Sequence, residues 1–555
     1  MLSSVPDARR RRVTHRLLPL AGLAFVAFVF GVVMGAGHVP PERNTADAFV
    51  QAWQKGDYRA MYALVSDQAR SRTSFDAFQA AYQDAAATAT LTSMRFGHAG
   101  GSGGGVSVPA EARTRVFGTL RTRLNLPFEG DPPRVKWTPS LTFPGVGSGE
   151  TLSRETQLPD RAAILAANGQ ALAKGPDRLS AGGTSSDLVG SYEAIPAADQ
   201  AYYRSLGYPD GTRVGTSGLE RALEPQLAGT PGGRLLAGTR VLARSTPHGA
   251  RDVRTTIDPK IEDSAITALG GRLGAVAVLK PQSGQVLALS GIALDGTQPP
   301  GSTFKIITTT AALEDKKVKL TDQFPVQTAA TLSGVPLSNA SGESCGGSFV
   351  NSFAESCNSV FAPLGAKVGP KRLVETAEKY GWNEQPSIPG AAESTIPPGD
   401  QIGDDLAVGS TAIGQGKVLS TALQMASVGA TIGNNGYRAH PTLLRGQFPR
   451  VTRVTSRRVA RTIRGLMIEV VRSGTGVKAA LPGVTVAGKT GTAELGGPPG
   501  VNEDPNNSDA WFTCFAPAAH PRVAVGVLVV KAGAGGDFAA PVAAEVLQTA
   551  LQRVK

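Results

Sequence analysis

The stretch Ser302-Thr303-Phe304-Lys305 places a serine three residues before a lysine, and two further clusters follow it: Ser356-Cys357-Asn358 and Lys489-Thr490-Gly491-Thr492. Each cluster alone carries little information, because a serine three residues before a lysine occurs by chance in most chains of this length and composition. The three clusters together, in this order, predict one site that combines a serine hydroxyl, two lysines and an amide.

Ser302 and Lys305 are the candidate nucleophile and base. The loop Pro299-Pro300-Gly301 ends before an apolar stretch, which predicts a helix over 302–313 with Ser302 and Lys305 one turn apart. A serine hydroxyl needs a base to accept its proton, and lysine serves only where burial and the positive end of a helix lower its pKa. The alternative for an isolated pair is an N-capping serine followed by a surface lysine.

Ser356 and Asn358 form the second part of the predicted site. Alternate side chains on a loop face the same cleft, so a hydroxyl there relays a proton while an amide holds a substrate carbonyl. Taken alone, the same pattern is more often a helix cap.

The third cluster predicts a strand edge that binds substrate. The strand predicted over 484–488 continues into Lys489, and its edge offers backbone NH and C=O groups to an extended peptide. Gly491 leaves space for the substrate, and Lys489 supplies positive potential for a carboxylate. Thr490 and Thr492 donate hydrogen bonds to that carboxylate.

A phosphate-binding loop is the rival interpretation of the third cluster, because Gly483–Thr490 satisfies the GxxxxGK[ST] pattern. Such a loop needs a buried strand before its first glycine and a helix that begins at its lysine. Pro482 precedes the segment here, and glycines and prolines follow it from Gly491 onward, which disfavours that helix. We therefore predict no nucleotide ligand.

The three clusters resemble the SxxK, SxN and KTG motifs of penicillin-binding proteins and serine β-lactamases. The segments Ala407–Gly416, Thr421–Ala426, Asn434–Tyr437 and Asp509–Phe512 are also similar to the corresponding parts of class B penicillin-binding proteins. The resemblance implies a peptidoglycan D,D-transpeptidase that β-lactams acylate. Its substrates are peptidoglycan stem peptides, and it requires no metal and no cofactor.

The resemblance also assigns roles to individual residues. Ser302 attacks the carbonyl of the penultimate D-Ala, with Lys305 as the acylation base, although which group acts as base is disputed in this superfamily. Ser356 passes the proton to the leaving amine, and Asn358 orients the acyl donor. Lys489, Thr490 and Thr492 bind its carboxylate, and the backbone NH groups of Ser302 and Thr492 form the oxyanion hole.

Two other functions stay open for such a site. One is a non-catalytic sensor that binds β-lactams or muropeptides without turnover, and the other is a D,D-carboxypeptidase. A class A β-lactamase is disfavoured, because Glu378 and the residues after it do not fit the element that activates the deacylating water.

The chain of 555 residues is too long for one hydrophobic core, so a multi-domain α+β protein is expected. Residues 44–136 read as helices followed by strands, in an order that resembles the nuclear-transport-factor-like domain of methicillin-resistance penicillin-binding proteins. Residues 137–254, rich in glycine and proline, predict an extended pedestal or dimerisation module. Residues 255–555 alternate strands and helices, which predicts a penicillin-recognising transpeptidase domain with an antiparallel sheet flanked by helices.

The pedestal resemblance rests on Gly215-Thr216-Ser217-Gly218-Leu219-Glu220, which is similar to a GxSGLE segment of class B proteins. The family's RGxIxDRNG element corresponds here to Arg161–Gly169, which lacks the acidic and the second basic residue. This departure leaves open whether the pedestal contains a salt bridge.

Residues 17–37 form an uncharged apolar run that is long enough to cross the roughly 30 Å core of a bilayer. Arginines crowd residues 1–16, so the positive-inside rule predicts a cytoplasmic tail, a single-pass anchor in the cell membrane and an extracytoplasmic catalytic domain. A cleaved signal peptide is the alternative, although the run exceeds the usual ~7 to 15 residues of a signal core. A membrane-bound enzyme of this type has a glycan polymerase or division and elongation proteins as candidate partners.

The formal net charge of +12 suits an anionic partner, but no basic stripe interleaved with aromatic residues is present, so we predict no nucleic-acid binding. The chain has three cysteines: Cys345, Cys357 and Cys514. Cys345 and Cys357 either pair in an oxidising compartment or remain two buried thiols.

Overall fold

A computed structural model describes residues 39–101, 105–179, 186–496 and 507–554. The predicted cytoplasmic tail and membrane anchor lie outside these residues. Of the helices that these residues form, none is long and apolar enough to cross a membrane. The chain divides into two compact units: unit 1 comprises the described part of Met1–Pro159 with Ile195–Thr212 and Thr230–His248, and unit 2 comprises Asp160–Ala194, Arg213–Gly229 and the described chain from Gly249 onward.

In chain order, the α-helices of the described ranges are α1 (Pro41–Lys55), α2 (Tyr58–Ala63), α3 (Asp67–Arg72), α4 (Phe75–Thr88), α5 (Ser186–Val189), α6 (Gln200–Leu206), α7 (Gly218–Ala222), α8 (Glu224–Leu227), α9 (Pro259–Leu269), α10 (Lys305–Glu314), α11 (Phe349–Ala354), α12 (Asn358–Val368), α13 (Pro370–Tyr380), α14 (Asp405–Ala412), α15 (Ala422–Gly433), α16 (Arg457–Arg472) and α17 (Gly535–Arg553).

The strands of the same ranges are β1 (Leu91–Phe96), β2 (Gly105–Thr114), β3 (Gly118–Glu129), β4 (Arg134–Val135), β5 (Leu152–Gln157), β6 (Ile164–Leu165), β7 (Ala171–Ala173), β8 (Tyr192–Ala194), β9 (Arg213–Gly215), β10 (Gly232–Ala237), β11 (Arg240–Ser245), β12 (Val253–Arg254), β13 (Gly274–Leu279), β14 (Val286–Gly291), β15 (Gln323–Gln327), β16 (Ala329–Leu332), β17 (Val335–Ser338), β18 (Cys345–Ser348), β19 (Tyr437–Ala439), β20 (Val451–Arg453), β21 (Ala487–Glu494), β22 (Ser508–Ala516) and β23 (Val523–Val529).

Unit 1 packs helices α1 and α4 on an antiparallel sheet of order β1-β2-β3-β4. Gly56 ends α1 in the left-handed conformation, with φ 71°, and Asp57 caps α2 by accepting the Ala60 NH at 2.9 Å. Helix α1 therefore ends at Lys55, and α2 begins at Tyr58. A second sheet in this unit has the order β11-β10-β5, so the span 137–254 contributes strands to unit 1 as well as to unit 2.

Unit 2 is organised around an antiparallel five-stranded sheet of order β14-β13-β23-β22-β21. Helices α9 and α17 cover one face, and α10 and α15 share the core on the other. Because both faces are covered, β13, β22 and β23 are buried along their whole lengths. β13 and β23 contain no polar side chain, whereas β22 also buries Asp509 and Thr513. The expected multi-domain α+β architecture, with an antiparallel sheet flanked by helices, is confirmed.

Element boundaries differ from the sequence expectation at two places. The predicted helix over 302–313 begins as a 3₁₀ turn, Gly301–Phe304, and becomes α10 at Lys305. Strand β21 starts at Ala487, because Leu481 and Val484 close a small bridge before it. The last helix, α17, starts at Gly535 and contains Pro541.

Unit 2 contains a buried ion-pair network around Arg161, although Arg161–Gly169 lacks the acidic and the second basic residue of the family element. Arg161 contacts the carboxylates of Glu220 and Glu224, both at 2.7 Å. Arg178 donates to the other oxygen of Glu220 at 2.6 Å and to the Ala162 carbonyl at 2.9 Å. A buried salt bridge therefore exists, and its second arginine, Arg178, lies outside Arg161–Gly169.

We expect Arg178→Ala to lower the free energy of unfolding by about 3 kcal/mol, because it removes one cation from a carboxylate that is fully buried. The exposed Arg221 on α7 offers a matched control. Arg221→Ala is expected to change the free energy of unfolding by less than about 0.5 kcal/mol. Urea unfolding of both variants measures the difference. Equal midpoints would mean that the network adds nothing to stability.

Candidate active site

The 3₁₀ turn Gly301–Phe304 presents Ser302 to a cleft and places Lys305 beneath it. Gly301 has φ 53° and donates its NH to the Gly414 carbonyl at 2.9 Å, which fixes the start of the turn. Ser302 is half-buried and lines the cleft, whereas Lys305 is 0% exposed. Within the described residues, the Ser302 hydroxyl has no hydrogen-bond partner in the range of 3.5 Å, so it is available to a substrate or to a base.

The Lys305 amino group connects the first cluster to the second. Its Nζ donates to the Ser356 carbonyl and to Asn358 Oδ1, both at 2.7 Å, and to Ser356 Oγ at 3.2 Å. It also lies over the Phe361 ring, 5.4 Å from the centroid. Burial, and then the positive charge of Lys489, hold the pKa of Lys305 well below its usual range. The surroundings therefore favour a neutral amine that can accept a proton.

Ser356 lies between the two lysines. Lys489 Nζ donates to Ser356 Oγ at 2.8 Å, so one hydroxyl contacts both amino groups. The Ser356 backbone is left-handed, with φ 63°, a conformation that costs a non-glycine residue about 1 to 3 kcal/mol. Burial lowers the pKa of Lys489 to about 7, although the nearby Glu355 carboxylate raises it in part. Both lysines therefore exchange protons more readily than surface lysines do.

Strand β21 brings the third cluster to the cleft from the edge of the sheet. Thr490 and Thr492 line the cleft, and Thr490 Oγ1 is 2.6 Å from Thr475 Oγ1. Lys489 is fully buried below them, so its charge reaches the cleft through Ser356. Because this segment is a strand, the helix that a phosphate-binding loop requires at its lysine is not formed.

Glycine at position 491 avoids a clash with the turn that carries Ser302. A Cβ built on it would lie 2.7 Å from the Pro300 carbonyl and 3.0 Å from Thr303 Cγ2. The missing side chain therefore lets the turn that carries Ser302 pack directly on β21.

The cleft has a volume of about 300 Å³. Ser302, Ser356, Asn358, Thr490 and Thr492 all contribute to its wall. Gln415, from the segment Ala407–Gly416, also lines it. Five further polar residues line it that the sequence did not single out: Glu343, Glu355, Thr475, Glu494 and Asp537. They belong to no recognised motif, and only the fold brings them together. Among the described residues, no group of three or more His, Cys, Asp or Glu side chains is placed to hold a metal ion.

Cys345 and Cys357 form a disulfide, which decides between the two possibilities that the sequence left open. Cys514 is free and buried in β22. Cys357 is the middle residue of the second cluster, so the cross-link reaches the wall of the cleft.

A serine above a buried lysine, with a serine–asparagine loop and a lysine–threonine strand around one cleft, defines the class of penicillin-recognising serine enzymes. Residues 274–548 match the family model described as the penicillin-binding protein transpeptidase domain, and residues 176–240 match the penicillin-binding protein dimerisation domain. The chain is 34% identical over 408 residues to the peptidoglycan D,D-transpeptidase PbpA of Mycobacterium tuberculosis. The aligned region covers 61% of this chain and 80% of that relative.

Solved structures agree with this assignment. The crystal structure of PBPA from Mycobacterium tuberculosis matches with a TM-score of 0.58 at 29% identity, over 71% of this chain and 99% of that one. The ceftriaxone acyl-enzyme complex of penicillin-binding protein A from the same organism also matches with a TM-score of 0.58, at 28% identity. This match covers 71% of this chain and 98% of that one. The chain belongs to the penicillin-binding protein family of peptidoglycan D,D-transpeptidases.

Proposed function

We propose that this protein cross-links peptidoglycan stem peptides through an acyl-enzyme on Ser302, and that β-lactams acylate the same hydroxyl. The observation that carries the proposal is the pair of buried lysines whose amino groups both contact Ser356 Oγ, in the cleft that the half-buried Ser302 also lines. This arrangement provides a nucleophile, a base with a lowered pKa and a hydroxyl between the two amino groups.

Acylation begins with neutral Lys305. Two hydrogen bonds at 2.7 Å, to the Ser356 carbonyl and to Asn358 Oδ1, use the two hydrogens of a neutral amine and leave its lone pair for the Ser302 proton. The Ser302 oxygen then bonds to the carbonyl carbon of the penultimate D-Ala, and the bond from that carbon to the terminal D-Ala nitrogen breaks. The proton passes from Lys305 to Ser356 and on to the departing amine.

Substrate binding uses the edge of β21. An extended stem peptide adds to this edge by backbone hydrogen bonds, while Thr490 and Thr492 donate to its terminal carboxylate. The buried charge of Lys489 contributes an attractive potential, and the NH groups of Ser302 and Thr492 stabilise the oxyanion. An amine from a second stem peptide resolves the acyl-enzyme, which distinguishes a transpeptidase from a carboxypeptidase, where water does so.

We also propose the finer organisation that the sequence implies. Residues 17–37 anchor the chain in the cell membrane with the N-terminus in the cytoplasm. Residues 44–136 form a nuclear-transport-factor-like domain, 137–254 a pedestal and 255–555 the transpeptidase domain. A glycan polymerase, or proteins of the division or elongation machinery, are the partners that such an anchored enzyme requires.

Release of D-Ala tests the proposed activity. The full chain, incubated with a stem pentapeptide donor and an amine acceptor, is expected to release D-Ala and to form the cross-linked peptide. Release of D-Ala without cross-linking would identify a carboxypeptidase. Covalent penicillin binding without any turnover would identify the sensor.

We expect Lys489→Met to move the acid limb of the pH profile of penicillin acylation to higher pH. The Lys489 charge is one of the two causes that lower the Lys305 pKa, so its removal raises that pKa, and neutral Lys305 then forms only at higher pH. Stopped-flow acylation across the pH range measures the midpoint. The exposed Lys379 on α13 offers the control Lys379→Met, whose profile is expected to equal that of the wild type.

An unshifted midpoint in Lys489→Met would contradict the electrostatic coupling between the two lysines. A lower rate at every pH with the same midpoint would assign Lys489 to substrate binding alone.

A further inference from the structure

A covalent cross-link lies inside the second cluster of the active site. The disulfide joins Cys345, at the start of β18, to Cys357, which stands between Ser356 and Asn358. Cys357 is 0% exposed and Cys345 is 8% exposed. Neither sulfur contacts the reacting atoms, so the cross-link acts on the reaction only through its two neighbours.

Backbone strain and charge repulsion both act on the segment that contains Cys357. Ser356 keeps a left-handed backbone, and its hydroxyl contacts two amino groups that repel each other whenever both are protonated. Helix α12 begins at Asn358, directly after the cross-linked residue, so a shift of Cys357 would carry Asn358 with it. A displacement on the order of 1 Å at such a site can lower a rate about a hundredfold.

The other end of the cross-link, Cys345, belongs to strand β18. Strand β18 pairs with β15, and Cys345 itself lies opposite Gln327 in that ladder. The Cys345 carbonyl also accepts a hydrogen bond from Ser359 Oγ at 3.4 Å. The disulfide therefore ties the Ser356–Asn358 segment to a paired strand that carries none of the motif residues.

We propose that Cys345 and Cys357 are positioning residues, whose disulfide holds Ser356 and Asn358 against Lys305 and Lys489 and thereby sets the rate of acylation of Ser302. This inference rests on the proposed function, since acylation is its readout. Asn358 orients the acyl donor for the reaction, whereas Thr490 and Thr492 bind its carboxylate from β21, and the cross-link does not include β21. The disulfide should consequently affect the acylation step and leave the preceding binding step unchanged.

Reduction with dithiothreitol provides the chemical test. Two electrons from the dithiol break the S–S bond, the two protein sulfurs take up two protons, and dithiothreitol closes to its cyclic disulfide. The reductant is removed before the assay, and alkylation followed by mass spectrometry counts the protein thiols. Wild-type protein should gain two thiols, and a Cys345→Ala/Cys357→Ala double variant should gain none.

Stopped-flow acylation of the full chain by a fluorescent penicillin separates the acylation rate constant from the dissociation constant of the first complex. We expect reduced wild type and the double variant to lose about ten- to a hundredfold in the rate constant, with an unchanged dissociation constant. Reoxidation should restore the wild type only. Cys514→Ala, which removes the buried free thiol of β22, serves as the control and should respond to reductant as the wild type does.

Fully reduced wild type that is acylated at the oxidised rate would overturn the proposal. Loss of the cooperative thermal transition on reduction would also overturn it, because the disulfide would then hold the fold and not the site. Oxidised wild type that no penicillin acylates would remove the proposed function itself. If the oxidised protein is acylated and reduction does not change the rate, only the positioning role of the disulfide is disproved.

Discussion

Ser302→Ala is expected to abolish covalent labelling by fluorescent penicillin and to stop D-Ala release. The substitution removes the oxygen that forms the acyl bond, and no neighbouring group replaces it, since Ser356 is already bound between two lysines. Gel fluorescence after incubation with the labelled antibiotic measures the first effect, and amino-acid analysis measures the second. The expected loss of labelling is complete at any incubation time.

A matched control separates chemistry from folding. Ser71 is exposed on α3 in unit 1, and Ser71→Ala makes the same chemical change without approaching the cleft. Its labelling should equal that of the wild type. Because the Ser302 hydroxyl makes no hydrogen bond with any described residue, Ser302→Ala should also unfold at the wild-type temperature. Persistent labelling of Ser302→Ala would disprove the assignment of the nucleophile.

The sequence predicts the residues that the cleft brings together because each sits in a local pattern. Ser302 and Lys305 stand at the start of an apolar helix, and the Lys489 cluster continues an apolar strand. These short-range signals survive folding, since helix and strand periodicities decide which side chains share a face. The order of the strands in the sheet then brings β21 beside the turn at Gly301.

The features that the sequence could not supply are contacts between distant segments. Arg178 pairs with Glu220 from a turn outside Arg161–Gly169, so no local pattern marks it. The pairing of Cys345 with Cys357 depends on where β18 lies. The packing that makes Gly491 necessary depends on the turn at Pro300, far away in the chain. Each of these becomes visible only when the backbone path is known.

The burial of the lysines also escapes the sequence, although it decides their chemistry. A lysine is among the residues least often buried, and the motif alone does not show that Lys305 and Lys489 are both fully enclosed. Their enclosure lowers both pKa values, and their proximity lowers that of Lys305 further. The fold thus gives two lysines pKa values below those of surface lysines.

Lys305→Met carries the second large effect, a fall of about a hundred- to ten-thousandfold in the acylation rate constant. Methionine fills a similar volume in the apolar surroundings beside Phe361, but it can neither accept the Ser302 proton nor donate to Ser356 and Asn358. Lys319→Met, at an exposed position, applies the same substitution outside the site and should leave the rate unchanged. Single-turnover acylation with penicillin measures both.

The pH dependence of the residual rate identifies what Lys305 does. If Lys305 is the base, the wild-type rate rises with pH as the ammonium loses its proton, and this rise disappears in Lys305→Met. The direction follows from the lowered pKa, since the neutral, active form of a buried lysine accumulates above that pKa and is lost below it. A rise that persists unchanged in Lys305→Met would assign the titration to Lys489, the other buried amine in contact with Ser356, and would make Lys489 the base in place of Lys305.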